Sequence, residues 1–211
     1  VDGRIVNNAE YPVVRGVHRI AVDGREIGQG LRHYLALNKP RGLVTTAKDE
    51  HGRDTVYRCF DGAGLGWIAP VGRLDKASEG LLLFTNDPEW AASITDPETG
   101  PDKTYHVQVD RIPDAALLAR LSAGAAVEGE HLRAKSARML RHGEKNAWLE
   151  IVLEEGRNRQ IRRLLAAFDI GVLRLIRTAI GGLALGELPK GQWRNLTAQE
   201  AAALSSTSSS S

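Results

Sequence analysis

One stretch constrains the fold more than any other: residues 71–87, which read VGRLDKASEGLLLFTND. The apolar run at 81–84 has the composition of a buried strand rather than a surface one. A polar turn at Ser78, Glu79 and Gly80 precedes it, and a loop feeding a buried strand is a rigid mount for a carboxylate. Arg73 and Asp75 stand two residues apart in that loop. A guanidinium near a carboxylate favours its charged form, and a charged carboxylate acts as nucleophile or base. Asp75 is therefore the first candidate for chemistry, against the ordinary alternatives of a cap or a surface ion pair.

The rest of the chain bounds what that loop can serve. A length of 211 residues suits one medium domain, or one with a small appendage. A hydrophobic share of 42% beside 26% charge is that of a soluble globular protein and argues against global disorder. No apolar run reaches membrane-spanning length, and the first residues lack a signal pattern. Cys59 is the single cysteine, which excludes an intramolecular disulfide and a cysteine-based metal cluster. A cytoplasmic location is expected. The net charge of +2 is too small for a dedicated basic nucleic-acid arm, so any case for RNA rests on where the arginines sit.

Taken in order, residues 1–30 alternate short β-type runs with turn signals at Asn7-Asn8, Arg15-Gly16 and Asp23-Gly24, which predicts small hairpins. A strand from Tyr34 runs into the reversal Lys39-Pro40-Arg41-Gly42. A second short strand is expected at 43–47 and a short helix at 55–60. Pro88 at a first helical position, with Asp87 before it and Glu89 after, predicts a helix to about Thr95. Strict alternation at 103–110 predicts a strand with Tyr105, Val107 and Val109 on one face. A helix from near Asp114 stops at Gly124. Strands flank a loop at 142–146, and a helix over 158–168 is expected with Asn158 as its N-cap. A strand at 171–180, a last strand and a short last helix follow, and the Ser-rich tail is expected to be disordered. Hairpins with interspersed helices predict an α+β fold with a central mixed or antiparallel sheet, flanking helices and an active-site cleft.

The helix opening after Gly156 carries Arg157, Arg159, Arg162 and Arg163 within seven residues. Beside a solvated basic face, the alternative is that some reach RNA phosphates while one turns inward to the aspartate. Gln160 and Ile161 would flank the inward arginine. Tyr105 suits core packing, or a ring stacked on a base. Lys39 is either turn chemistry or a further phosphate contact. The histidines show no helical i, i+4 pair, and no metal site is expected. Neither a dinucleotide or phosphate loop nor a G-x-S-x-G elbow is present.

Four segments in order, NKPRG (38–42), GRLDKASEGLLLFTND (72–87), KTYHVQV (103–109) and EGRNRQIRRLLAAF (155–168), resemble the bacterial ribosomal RNA pseudouridine synthases. The branch is that of small-subunit synthase A and large-subunit synthases B, E and F, and the likeness spans about 34–197. The resemblance implies isomerisation of a uridine to pseudouridine in ribosomal RNA or a pre-ribosomal particle, without cofactor or metal; a monomer is the default expectation. It makes Asp75 the essential aspartate, Tyr105 the active-site tyrosine and Arg162 the arginine paired with Asp75. Ile161 becomes the aliphatic residue beside the uracil, and Arg73 a contact to the flipped nucleotide. Lys39, Arg157, Arg159 and Arg163 are left for the RNA backbone. Ala77 and Glu79 depart from the family's common aspartate and serine. Residues 3–27 resemble only the closing strands of an S4-type RNA-binding domain, within a short β-rich segment at 1–30 that stands ahead of a catalytic domain at 31–204 and a tail at 205–211. Two other readings stay open. One is a non-catalytic RNA-binding or ribosome-assembly factor. The other is a glycosidic hydrolase, which would ordinarily need a second acid that is not evident.

Overall fold

The computed structural model describes residues 4–6, 20–22, 25–27, 31–46 and 54–206. The chain divides into two units, Val1–Arg32 and His33–Ser211. In the first, strands β1 (Ile20–Val22) and β2 (Arg25–Ile27) pair antiparallel. The turns expected at Asn7-Asn8, Arg15-Gly16 and Asp23-Gly24 lie outside the described residues, as does the tail from 207.

The second unit is built on a mixed sheet. Its first half runs β3 (Tyr34–Lys39), a 3-10 helix (Val56–Phe60), β4 (Ala69–Val71), β5 (Glu79–Thr85), α1 (Pro88–Thr95) and β6 (Lys103–Val109). Then come α2 (Ala115–Ala123), the hairpin β7 (Ala125–Val127) and β8 (Glu130–Leu132), β9 (Ser136–His142) and β10 (Ala147–Leu153). The chain closes with α3 (Gln160–Ala166), β11 (Val172–Ile180), β12 (Leu183–Ala184), β13 (Trp193–Asn195) and α4 (Ala198–Ser205). The strand order is β13-β3-β5-β11-β6-β10-β9, with β4 added to β5 and β12 to β11. Only the β5–β11 pair is parallel among these.

Every residue of β5 is buried, because the sheet is covered on both sides there. Leu82 and Phe84 point into a large core with Leu35, Leu37, Tyr105, Val107 and Leu164. Leu81 and Leu83 point the other way, against Trp90 and Ile94 of α1 and Leu204 of α4. Each such side chain contributes about 1.5–3 kcal/mol on burial, so the strand following the Asp75 loop is among the firmest parts of the molecule. Helix α1 starts where the sequence predicts: Asp87 accepts from the backbone N–H of Glu89 and Trp90 at 3.2 and 3.3 Å.

Three local expectations fail. Residues 43–46 form no strand, since Val44 makes only an isolated parallel bridge to Thr55. Glu79 and Gly80 belong to β5 rather than to a turn. Gly80 sits in the strand at φ +101°, where an added Cβ would lie 2.3 Å from the Arg177 carbonyl oxygen, so glycine permits the β5–β11 approach. Helix α3 is shorter than expected and is not capped by Asn158. Arg159 holds the N-cap position in the left-handed region, at φ 50° and ψ 30°, with no side-chain cap.

Candidate active site

Strand β5 shares one of its edges between two partners. β4 pairs with it from Ala69↔Thr85 to Val71↔Leu83, while β11 meets only Glu79 and Gly80. A cleft of about 400 Å³ is lined from both sides of this split, by Val71 and the loop after it, and by Leu175, Arg177 and Ile180 of β11.

The Asp75 loop is held by groups behind it. The Thr45 hydroxyl donates to the Leu74 carbonyl at 2.7 Å and accepts from its N–H at 3.3 Å. The Gly42 N–H donates to Lys76 at 2.7 Å, and the Ser78 N–H to Asp75 at 2.9 Å. Lys39 is 0% exposed, and its ammonium donates to the carbonyls of Ser78, Asp75 and Pro40 at 2.8, 3.1 and 3.2 Å. Burial pulls its pKa down to about 8, while the carboxylates of Glu79 and Asp75 oppose the shift. The expectation that Lys39 touches the RNA backbone is thereby corrected. A side chain consumed by the loop's carbonyls has no route to a phosphate, and its task is to fix the loop.

The Asp75 carboxylate faces the cleft and meets two guanidiniums. Arg159 Nη1 donates to Oδ2 at 3.1 Å, and Arg162 Nε lies 3.8 Å from the same oxygen, beyond hydrogen-bond length. Arg162 is where the sequence reading places it, but Arg159, expected on the RNA backbone, makes the shorter contact. The two differ in setting: the Arg162 side chain is 18% exposed and Arg159 51%. Arg163 is also corrected. It turns away from the cleft to Glu130 and Glu128, at 2.7 and 3.0 Å, because one helical step rotates it toward β7–β8. Arg157 lines the cleft rim and pairs with Glu155 at 2.9 Å.

Tyr105 and Ile161 line the cleft while belonging to the large core: the tyrosine ring is packed and still borders the opening. Arg73 is exposed on the cleft's lip. A charged carboxylate beside a mostly apolar, aromatic-bordered recess, with cations around it, can attack a sugar carbon or remove a proton from one.

Gln160 and Glu79 help build the site in ways the sequence reading does not assign to them. Gln160 is buried, accepts from the Arg157 N–H at 3.1 Å and donates to the Arg133 carbonyl at 3.1 Å, pinning the entry to α3. Glu79 is held by Arg174 through both oxygens, at 2.8 and 3.0 Å, and by Lys190 at 2.7 Å. The hydrogen bond from Arg174 is the main reason its pKa falls to about 2. An acid abutting an apolar run was the available signal for Glu79; nothing local marks its partners. Among the described residues no group of three His, Cys, Asp or Glu could hold a metal ion, and no helix is long and apolar enough to cross a membrane.

Residues 33–167 match the family model described as RNA pseudouridylate synthase. The chain is 35% identical over 202 residues to the ribosomal large subunit pseudouridine synthase B of Bacillus subtilis strain 168, covering 95% of this chain and 82% of that protein. It is 36% identical over 205 residues to a protein of Aquifex aeolicus strain VF5 named as an uncharacterized RNA pseudouridine synthase, covering 97% and 82%. Among solved structures, one titled a pseudouridylate synthase superposes with a TM-score of 0.72 at 31% identity, over 96% of this chain and 86% of that one.

Proposed function

The chain belongs to the RNA pseudouridylate synthase family, and we propose that it converts a uridine of ribosomal RNA to pseudouridine with Asp75 as the group that acts at the ribose. The observation that carries this reading is the carboxylate of Asp75, braced from behind by Lys39 and Thr45 and set in a cleft with Arg159, Arg162 and Tyr105. Ribosomal RNA as the substrate is supported by the names of the relatives, which include large-subunit synthases.

On this reading the target nucleotide is taken out of its RNA context, which costs least in an unpaired segment. Tyr105 and Ile161 border the uracil, while Arg73 and Arg157 at the rim meet the flanking backbone. Asp75 acts on the C1′ side of the ribose, the N-glycosidic bond breaks, and the uracil turns and rejoins through C5. Arg162 and Arg159 balance the Asp75 charge until the nucleotide arrives. The catalytic domain is taken as residues 31–204, working as a monomer in the cytoplasm where ribosomes are assembled.

The test is a pseudouridine map of ribosomal RNA from cells with and without this protein. Loss of pseudouridine at one defined position, restored by the wild-type gene, is expected. An unchanged map with RNA binding retained would favour a non-catalytic RNA-binding factor, and release of free uracil a hydrolase.

A further inference from the structure

Lys103 and Arg177 are two cations that line the same cleft as Asp75 and have no ion-pair partner among the described residues. Lys103 and Tyr105 are two residues apart on β6, so their side chains share a face of the sheet. Arg177 stands beside Tyr105 in the β11–β6 register and beside Gly80 in the β11–β5 register. It is 5% exposed. Its Nε donates to the Leu81 carbonyl at 2.7 Å, which fixes the guanidinium plane, while its Nη2 is buried with no hydrogen-bond partner. Burial, and then the charge of Arg177, lower the pKa of Lys103.

A buried N–H without an acceptor costs about 1–3 kcal/mol, more when charged. Two neighbouring cations with no acid in ion-pair contact add repulsion, and the more distant carboxylates of Asp102 and Asp96 act against it. A fold keeps such a pair beside a cleft at a net cost to its own stability, and an acceptor brought by a ligand removes that cost. Resting on the uridine-isomerase reading, we infer that Arg177 and Lys103 bind the uracil through its carbonyl oxygens and carry the negative charge the base gains while it is detached from the ribose. When the C1′–N1 bond breaks, its electron pair leaves on N1, and the uracil becomes a monoanion spread over N1, O2 and O4. The sugar is satisfied by a bond from Asp75 to C1′, or by loss of a C2′ proton to Asp75. The C5–C1′ bond then forms, the sugar reverts, C5 loses its proton and N1 gains one, so the product is an isomer of the substrate. Fixed donors aimed at charge that develops during the reaction stabilise the transition state more than the ground state.

The experiment compares the wild-type chain with Arg177→Met, Arg177→Lys and Lys103→Met on unmodified ribosomal RNA transcripts. It measures the single-turnover rate, RNA Kd and melting temperature for each. The expected loss in rate for Arg177→Met is on the order of 10²-fold, with Kd changed less than about threefold; Arg177→Lys regains part of it. Lys103→Met, which removes no hydrogen bond of the fold, loses at least about tenfold and keeps the inference testable if Arg177→Met does not fold. A second arm places 5-fluorouridine at the target and follows its disappearance after digestion to nucleosides. Fluorine stabilises the departing base anion, so the deficit of folded variants shrinks with this nucleoside. Wild-type rates in the folded variants, or an equal deficit with both nucleosides, overturn the inference alone. Absence of pseudouridine with the wild-type chain overturns the isomerase reading and the inference with it.

Discussion

At the scale of the residue, the site turns on which guanidinium holds Asp75, and distance alone gives the wrong ranking. Arg159 is closer, but its side chain is half exposed, where an ion pair is worth about 0–1 kcal/mol. Arg162 lies farther away yet largely out of water, with a buried Nε that has no hydrogen bond, so its field at the carboxylate is less screened. Arg162→Met is therefore expected to slow single turnover by roughly 10²-fold, and Arg159→Met by less than about tenfold. Arg159 also sits in the left-handed region, at a cost of about 1–2 kcal/mol for a residue with a Cβ. Arg159→Gly should raise the melting temperature while slowing turnover as Arg159→Met does. A larger loss for Arg159→Met than for Arg162→Met would show that contact length, not burial, sets the coupling. Asp75 and the motif carrying both arginines are visible in the sequence. Their ranking is not, because it depends on how far each side chain is buried, which the local sequence does not carry.

At the scale of the element, β5 and its leading loop behave as one unit. Glu79 anchors the first residue of the strand, and its side chain is only 4% exposed. Its folded pKa is about 2 against the ordinary 4.5, so its stabilisation is complete above pH 4.5 and is lost as the pH falls through 2. The corresponding free energy is roughly 3 kcal/mol. Glu79→Gln is expected to lower stability at pH 7 by a comparable amount and to flatten the stability profile between pH 4.5 and 2. Chemical denaturation across that range checks both. Here the sequence is instructive in what it shows and withholds. The apolar run, the Asp87-Pro88 helix start and the alternation around Tyr105 are local patterns, and each became the expected element. Lys39 and Glu79 look like ordinary polar residues of a turn. Their real roles, gripping loop carbonyls and pairing with Arg174 and Lys190, come from contacts 36 to 111 positions distant. Arg163 is the converse case, since a cluster of four arginines does not reveal which one the helix turns toward Glu130.

At the scale of the whole molecule, the cleft exists because β5 is bordered by β4 at one end and β11 at the other, with the parallel junction at Gly80 closing the split. That junction ties the Asp75 loop to Arg177, so a change there should affect fold and chemistry together. Gly80→Ala meets the Arg177 backbone and demands a strained φ, and it is expected to destabilise by about 3 kcal/mol or more. Hydrogen exchange should show protection lost first at the β5–β11 contact. A variant as stable as wild type would mean that the two strands tolerate separation.

The measurement that bears most directly on the function is single-turnover pseudouridine formation on unmodified ribosomal RNA by the wild-type chain and by Asp75→Asn. The substitution keeps the shape of the side chain and removes the charge that Arg159 and Arg162 balance. The account predicts no detectable pseudouridine from Asp75→Asn, with RNA Kd and melting temperature close to those of wild type. Turnover by Asp75→Asn at a rate near that of the wild-type chain would contradict it.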